Sequence, residues 1–200
     1  RFIMSEFYLA SNEASKRRFW LNKLIQADQQ AQQSADMQRS DRSRYLAAMA
    51  ANVFASDKLY AYKKIKLTLP LNASLAKKKS ALNSALNAYN KTLEYKVEEF
   101  TTAANFGIAD IYHQLAKDLM ASSKPKNLNA LELEQYDLLL EEQAYPFEEQ
   151  AIDIHETNVK RSWQGSYDKW VKKSFSALQT LLPGRYNKQE IGVEVTDEIY

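Results

Sequence analysis

Nine carboxylates (Glu132, Glu134, Asp137, Glu141, Glu142, Glu148, Glu149, Asp153 and Glu156) fall within the 33 residues from Asn127 to Val159, with no Lys or Arg among them. Groups of this kind suit acid–base catalysis, cation binding or an anionic docking surface. A glycosidase holds two carboxylates about 5–10 Å apart across a cleft. Here the pairs Glu141-Glu142 and Glu148-Glu149 sit among apolar residues at helical spacing, which is the pattern of a solvated helix face. Metal chemistry needs more than the chain supplies: its two histidines are His113, three residues after Asp110, and His155, two after Asp153. A di-iron helical bundle uses two Glu-x-x-His pairs and two further carboxylates, and position 152 is Ile. His155 therefore reads as a half-buried packing residue on an Ile152–Val159–Trp163 stripe. No Gly-rich phosphate loop, Gly-x-Ser-x-Gly or His-Glu-x-x-His occurs. With no cysteine, thiolate nucleophiles, disulfides and Cys-based zinc sites are excluded. The sequence assigns no catalytic, cofactor-binding or metal-binding residue.

Cations gather elsewhere. Lys58 to Lys79 holds seven lysines and no acid, and residues 1–100 carry 17 basic against 9 acidic groups while residues 101–200 carry 10 against 16. The two halves thus have net charges of +8 and −6, a dipole behind a net charge of +2. Lys77, Lys78 and Lys79 follow a helix start and would meet an anionic partner, although a lysine triplet spans all sides of a helix. RNA reading by helical repeats needs base-contacting pairs recurring once per repeat, and none recurs. The expected partner-binding residues are Lys77, Lys78 and Lys79 on one face and Glu141, Glu142, Glu148 and Glu149 on another.

These side chains must be carried on helices. The chain has 200 residues, 45% hydrophobic, with only four Gly and four Pro, so tight turns are scarce and the composition favours an all-α domain. No apolar run approaches the roughly 20 residues of a membrane span. Arg1-Phe2-Ile3-Met4 is not a signal sequence, and the helical pattern from the first residue suggests a piece of a longer chain with any targeting signal upstream.

Residues 1 to about 37 predict one or two helices. Their Gln26–Gln38 run is read as helix because Ala27, Ala31 and Ala35 repeat every fourth position. Asp41 is the expected N-cap of a helix that turns Tyr45, Met49, Val53 and Tyr60 inward and ends before Pro70. From Leu82 to Leu119 apolar residues step by three or four throughout. One long rod and a hairpin joined near Tyr95–Glu98 both fit; the hairpin is favoured because coiled-coil charge pairs are absent. Asn129 with Glu132 forms a capping box, and the helix after it turns Leu133, Tyr136 and Leu140 inward. Tyr145-Pro146 is expected to divide this helix from one over Phe147–Trp163. Gly165 stops that helix, Ser166 caps the last one, and Ile191–Val195 alternate as an extended tail. Unit starts at Ser74, Asn129 and Ser166 lie 55 and 37 residues apart, so no strict repeat exists.

From about Leu67 to Tyr186, roughly 60% of the chain, the sequence resembles the C-terminal part of tetratricopeptide-repeat (TPR) proteins of the proteobacterial cell envelope. That group is associated with gliding-motility or Tol/Ton-like systems. The resemblance rests on Thr101-Thr102-Ala103-Ala104, Leu131-Glu132-Leu133-Glu134-Gln135-Tyr136, the block Leu139 to Glu149, Tyr167 to Phe175, and Leu182-Pro183-Gly184-Arg185-Tyr186. It implies a periplasmic, superhelical protein that docks other envelope components, and it brings no catalytic residues.

The expectation is therefore an all-α, TPR-like α-solenoid of stacked antiparallel helix pairs over residues 1–185, with a tail over 186–200. Its role would be a non-enzymatic scaffold for other proteins, with no cofactor, nucleic acid, small-molecule substrate or membrane span. Alternatives are a self-associating helical bundle or rod joined head to tail through its charges, and an enzyme of unrecognised type.

Overall fold

The structure is a computed structural model that describes residues 1–34 and 39–188. Its regular elements are all helices: α1 (Phe2–Ala10), α2 (Ala14–Gln33), α3 (Asp41–Lys63), α4 (Leu71–Leu93), α5 (Glu98–Met120), α6 (Ala130–Lys160), a 3-10 turn (Arg161–Gln164), α7 (Lys169–Leu181) and the short α8 (Pro183–Tyr186). No strand occurs among the described residues. Ala35 and the alternating Ile191–Val195 segment lie outside them, and Tyr186, expected to open the tail, closes α8.

Helix boundaries follow local chemistry. Asn129 accepts from the Glu132 amide at 3.0 Å while the Glu132 carboxylate accepts from the Asn129 amide at 2.9 Å, completing the expected capping box. Two other caps are displaced from their expected positions. Ser40, not Asp41, caps α3 by accepting from the Ser43 amide at 3.1 Å. Asp168, not Ser166, caps α7, with Oδ1 accepting from the Trp170 and Val171 amides at 2.8 and 2.9 Å. Asp168 wins because a charged oxygen at the first turn also meets the positive end of the helix dipole. Gly165 adopts the left-handed conformation expected of it, φ +88°.

The long apolar run forms the hairpin α4–α5. Its two helices are antiparallel, since Lys78 meets Asp118 near one end and Tyr89 faces Gly107 nearer the other. Gly107 is needed there, because a β-carbon would sit 2.2 Å from the Tyr89 ring. Each helix packs on the next in sequence, and α5 also touches α3 and α7 directly. Tyr45 stacks with Phe100 and the Tyr62 hydroxyl donates to the Ile111 carbonyl at 3.1 Å, so α3 and α5 run parallel. Thr102 meets Asp168 and Phe106 meets Trp170, so α7 runs parallel to α5.

The main core joins Tyr62, Leu67, Leu82, Tyr89, Ile111, Leu115 and Leu119, and a second cluster joins Leu21, Leu24 and Ala50. Full burial of each large side chain contributes about 1.5–3 kcal/mol. On α3 the expected stripe is displaced: Tyr45 and Tyr60 are exposed, while Ala47, Ala48, Ala50, Ala51, Ala55 and Tyr62 are buried. α3 is packed by α2, α4 and α5 together, and small side chains let three helices approach it. Its N-terminus is tied to α2 by buried Asp28, which accepts from Arg39 Nη2 and Ser43 Oγ, both at 2.7 Å. Burial pushes the Asp28 pKa up, but Arg39 and Ser43 outweigh it and hold the carboxyl below its usual range.

Pro146 does not divide α6. The helix runs through it for 31 residues. Pro146 and Glu142 are both exposed, so the proline lies on the solvent side of the helix, while Leu140, Ala144 and Ala151 hold both halves against α5.

Candidate docking surface on α6

At 1.5 Å per residue α6 is about 46 Å long and α7 about 20 Å, so one flank of the N-terminal half of α6 extends past its neighbour. Only Leu140 of the three residues expected to turn inward is buried; Leu133 is exposed and Tyr136 half-buried. Leu131, Leu138, Leu139 and Tyr145 expose 65, 56, 57 and 60% of their surface. The loop before α6 is fixed to it by an ion pair between Lys124 and Asp137.

The four predicted glutamates share one flank of this helix. Glu141 and Glu142 join Leu138 and Tyr145 around a shallow depression of about 450 Å³. Glu148 and Glu149 join Tyr145, Ile152, Asp153, Leu181 and Leu182 around a second of about 350 Å³. Tyr145 is common to both, so the two form one strip. Its hydroxyl donates to Glu149 Oε1 at 2.6 Å, a bond that raises the phenol pKa. Among the described residues Glu141, Glu142, Glu148 and Glu149 pair with no Lys or Arg, unlike Asp137 and Glu156, which pair with Lys124 and Arg185.

The lysine triplet separates. Lys77 and Lys79 are exposed, but Lys78 is 0% exposed and leaves the docking set. Its Nζ lies 2.5 Å from Asp118 Oδ2 and donates to the Tyr62 and Ile65 carbonyls at 2.9 Å. The Tyr62 ring centroid is 3.9 Å away. The signal was present in the register, since Ser74, Lys78, Leu82, Ala85 and Tyr89 form the buried face of α4. Lys77 and Lys79 therefore leave α4 about 160° apart. Lys79 edges a separate apolar groove of about 440 Å³ against Leu140, Gln143 and Phe147. Helical geometry puts that side of α6 opposite the glutamate strip. The acidic and basic residues thus do not share one surface.

A buried polar cluster, missed in the sequence, clamps α5, α6 and α7. Asn158 Nδ2 donates to the Thr102 carbonyl at 2.9 Å and Ser174 Oγ at 3.2 Å, and Thr102 Oγ1 donates to Asp168 Oδ2 at 2.5 Å. His155 Nδ1 lies 3.2 Å from Ser174 Oγ. His155 is fully buried, not half-buried, and Trp163 of its supposed stripe is 77% exposed. Burial, with a smaller contribution from His113, pushes the His155 pKa down to about 4. A neutral histidine beside a serine is the beginning of a nucleophile pair. With Ser174 and His155 at 0 and 1% exposure, however, no substrate reaches Oγ. Asp110, the other candidate beside a histidine, pairs with Lys63 at 2.6 Å. Among the described residues no three His, Asp or Glu side chains gather into a metal-binding group, and no helix is long and apolar enough to cross a membrane.

No family model, curated protein or solved structure matches this chain.

Proposed function

We propose that the protein is a non-enzymatic docking scaffold that recruits other proteins on α6. The observation that carries this reading is the strip itself, where four glutamates with no cationic partner among the described residues alternate with exposed Leu138 and Tyr145 on one continuous helix. Apolar contact supplies affinity, and the surrounding charge selects and orients the partner. The complement is a cationic amphipathic segment, which lays its apolar side along the strip and its Lys or Arg heads against the carboxylates. The wider proposal is a TPR-like α-solenoid with long degenerate repeats, supported by the contacts of α3 with α5 and of α5 with α7. Its periplasmic envelope setting comes from the resemblance alone.

The test uses a synthetic Leu/Lys amphipathic helix and its Leu/Glu counterpart. The protein binds the first saturably and not the second. Changing Glu141, Glu142, Glu148 and Glu149 to Gln weakens binding roughly tenfold at low salt, at a few tenths of a kcal/mol for each exposed pair. Equal affinity of the Gln variant removes the docking role of the strip.

A further inference from the structure

We infer that the partner seated on the acidic strip is a second copy of this chain, docking through its α1–α2 end. This inference rests on the reading of the strip as a docking site. At the opposite end of the helix series, α1 and α2 expose Ile3, Phe7, Leu9 and Phe19 at 79, 59, 47 and 54%. These are large apolar side chains that a monomer leaves in water, and they are interleaved with cations. Lys16 Nζ lies 5.3 Å from the Tyr8 ring centroid and Lys23 Nζ 5.5 Å from that of Phe19. Residues 1–27 carry Arg1, Lys16, Arg17, Arg18 and Lys23 against Glu6 and Glu13, five positive charges to two negative. Lys16 pairs with Glu13 and Arg18 with Asp57, whereas Lys23 makes no ion pair among the described residues.

One end of the molecule is thus apolar and cationic, the other apolar and anionic. The two surfaces are different, so their contact is head to tail. It leaves a free cationic end and a free anionic strip on every pair, and copies add in series. Surface charge at this contact is screened beyond about 8 Å at physiological ionic strength, so assembly weakens as salt rises.

A charge swap tests the inference in sedimentation velocity. The full chain is run at increasing concentration in low and high salt, beside the variants Lys16→Glu/Lys23→Glu and Glu141→Lys/Glu142→Lys. The wild type sediments faster as concentration rises at low salt. Each variant alone self-associates at least tenfold more weakly, because the first takes the net charge of residues 1–27 from +3 to −1 and the second takes that of the four strip positions from −4 to 0. An equimolar mixture of the two variants recovers association between unlike copies, since the unaltered strip of the first meets the unaltered α1–α2 end of the second. That recovery also shows that both variants fold. A wild type that stays a single copy at every concentration and salt overturns the inference, as does a mixture that fails to recover. If the wild type stays single while the Leu/Lys helix still binds, the acidic strip stands and only its occupant is wrong. If neither occurs, both readings fall.

Discussion

Lys78 sits wholly inside the protein with its ammonium held by Asp118 and by the Tyr62 and Ile65 carbonyls. Removing one partner of such a pair leaves the other charge without compensation, at a cost of about 3–5 kcal/mol. Lys78→Ala is therefore expected to lower the urea midpoint sharply, whereas Lys78→Met with Asp118→Leu recovers most of the loss; a small effect of the single change would show that water reaches Asp118. His155 gives a pH signature. Its pKa is about 4 in the fold against 6.5 when free, so between these values the unfolded chain binds the proton more tightly. The contribution of a neutral His155 is fully present above about pH 6.5 and is lost as pH falls toward 4, about 3 kcal/mol in all. Urea unfolding across this window should show a shallower pH slope in His155→Gln than in the wild type, and equal slopes would place His155 in contact with solvent. Neither residue announces itself by type. Lys78 was hidden in a triplet whose neighbours face water, although its spacing to Leu82 and Tyr89 marked the core side. Ser174 shares the Val171–Leu178 stripe that its spacing marks as the packed face of α7, whereas its meeting with Asn158 depended on how three helices converge.

α6 is the element where local rule and tertiary packing disagree. An interior proline costs a helix about 3 kcal/mol, and Tyr145-Pro146 is accordingly the natural place to predict a break. Packing of Leu140 and Ala144 on one side of it and Ala151, His155 and Val159 on the other overrides that preference. Pro146→Ala is thus expected to raise the thermal midpoint by an amount corresponding to about 1–3 kcal/mol, read by circular dichroism. A fall would show that the contacts around position 146 require the proline. The other boundaries were readable because they depend on near neighbours: the Asn129–Glu132 capping box, the left-handed Gly165, and the reversal between Leu93 and Glu98. The displaced caps at Ser40 and Asp168 lie within two residues of those expected, as helix ends commonly do. The alanine face of α3 was not readable, because a helix packed on several sides has no single apolar stripe.

Across the whole molecule the sequence dipole becomes geometry. The acidic segment is one long helix with Glu141, Glu142, Glu148 and Glu149 on a single flank, and the basic half includes an aromatic, cationic end formed by α1 and α2. Helix content and order were legible from composition and periodicity. The placement of Lys79 on a groove away from the glutamates was not, since it depends on which flank of α6 turns toward α4. The claim on which the functional account depends is that partners are met by the exposed flank of α6. Backbone amide shifts of isotope-labelled protein, followed during titration with the Leu/Lys amphipathic helix, test it most directly. Perturbations are expected to concentrate between Leu131 and Asp153 and at Leu181 and Leu182, with the amides around Ala47–Ala55 unmoved. Perturbations confined to the Lys79 groove or the α3 core, or none at saturating peptide, would contradict it.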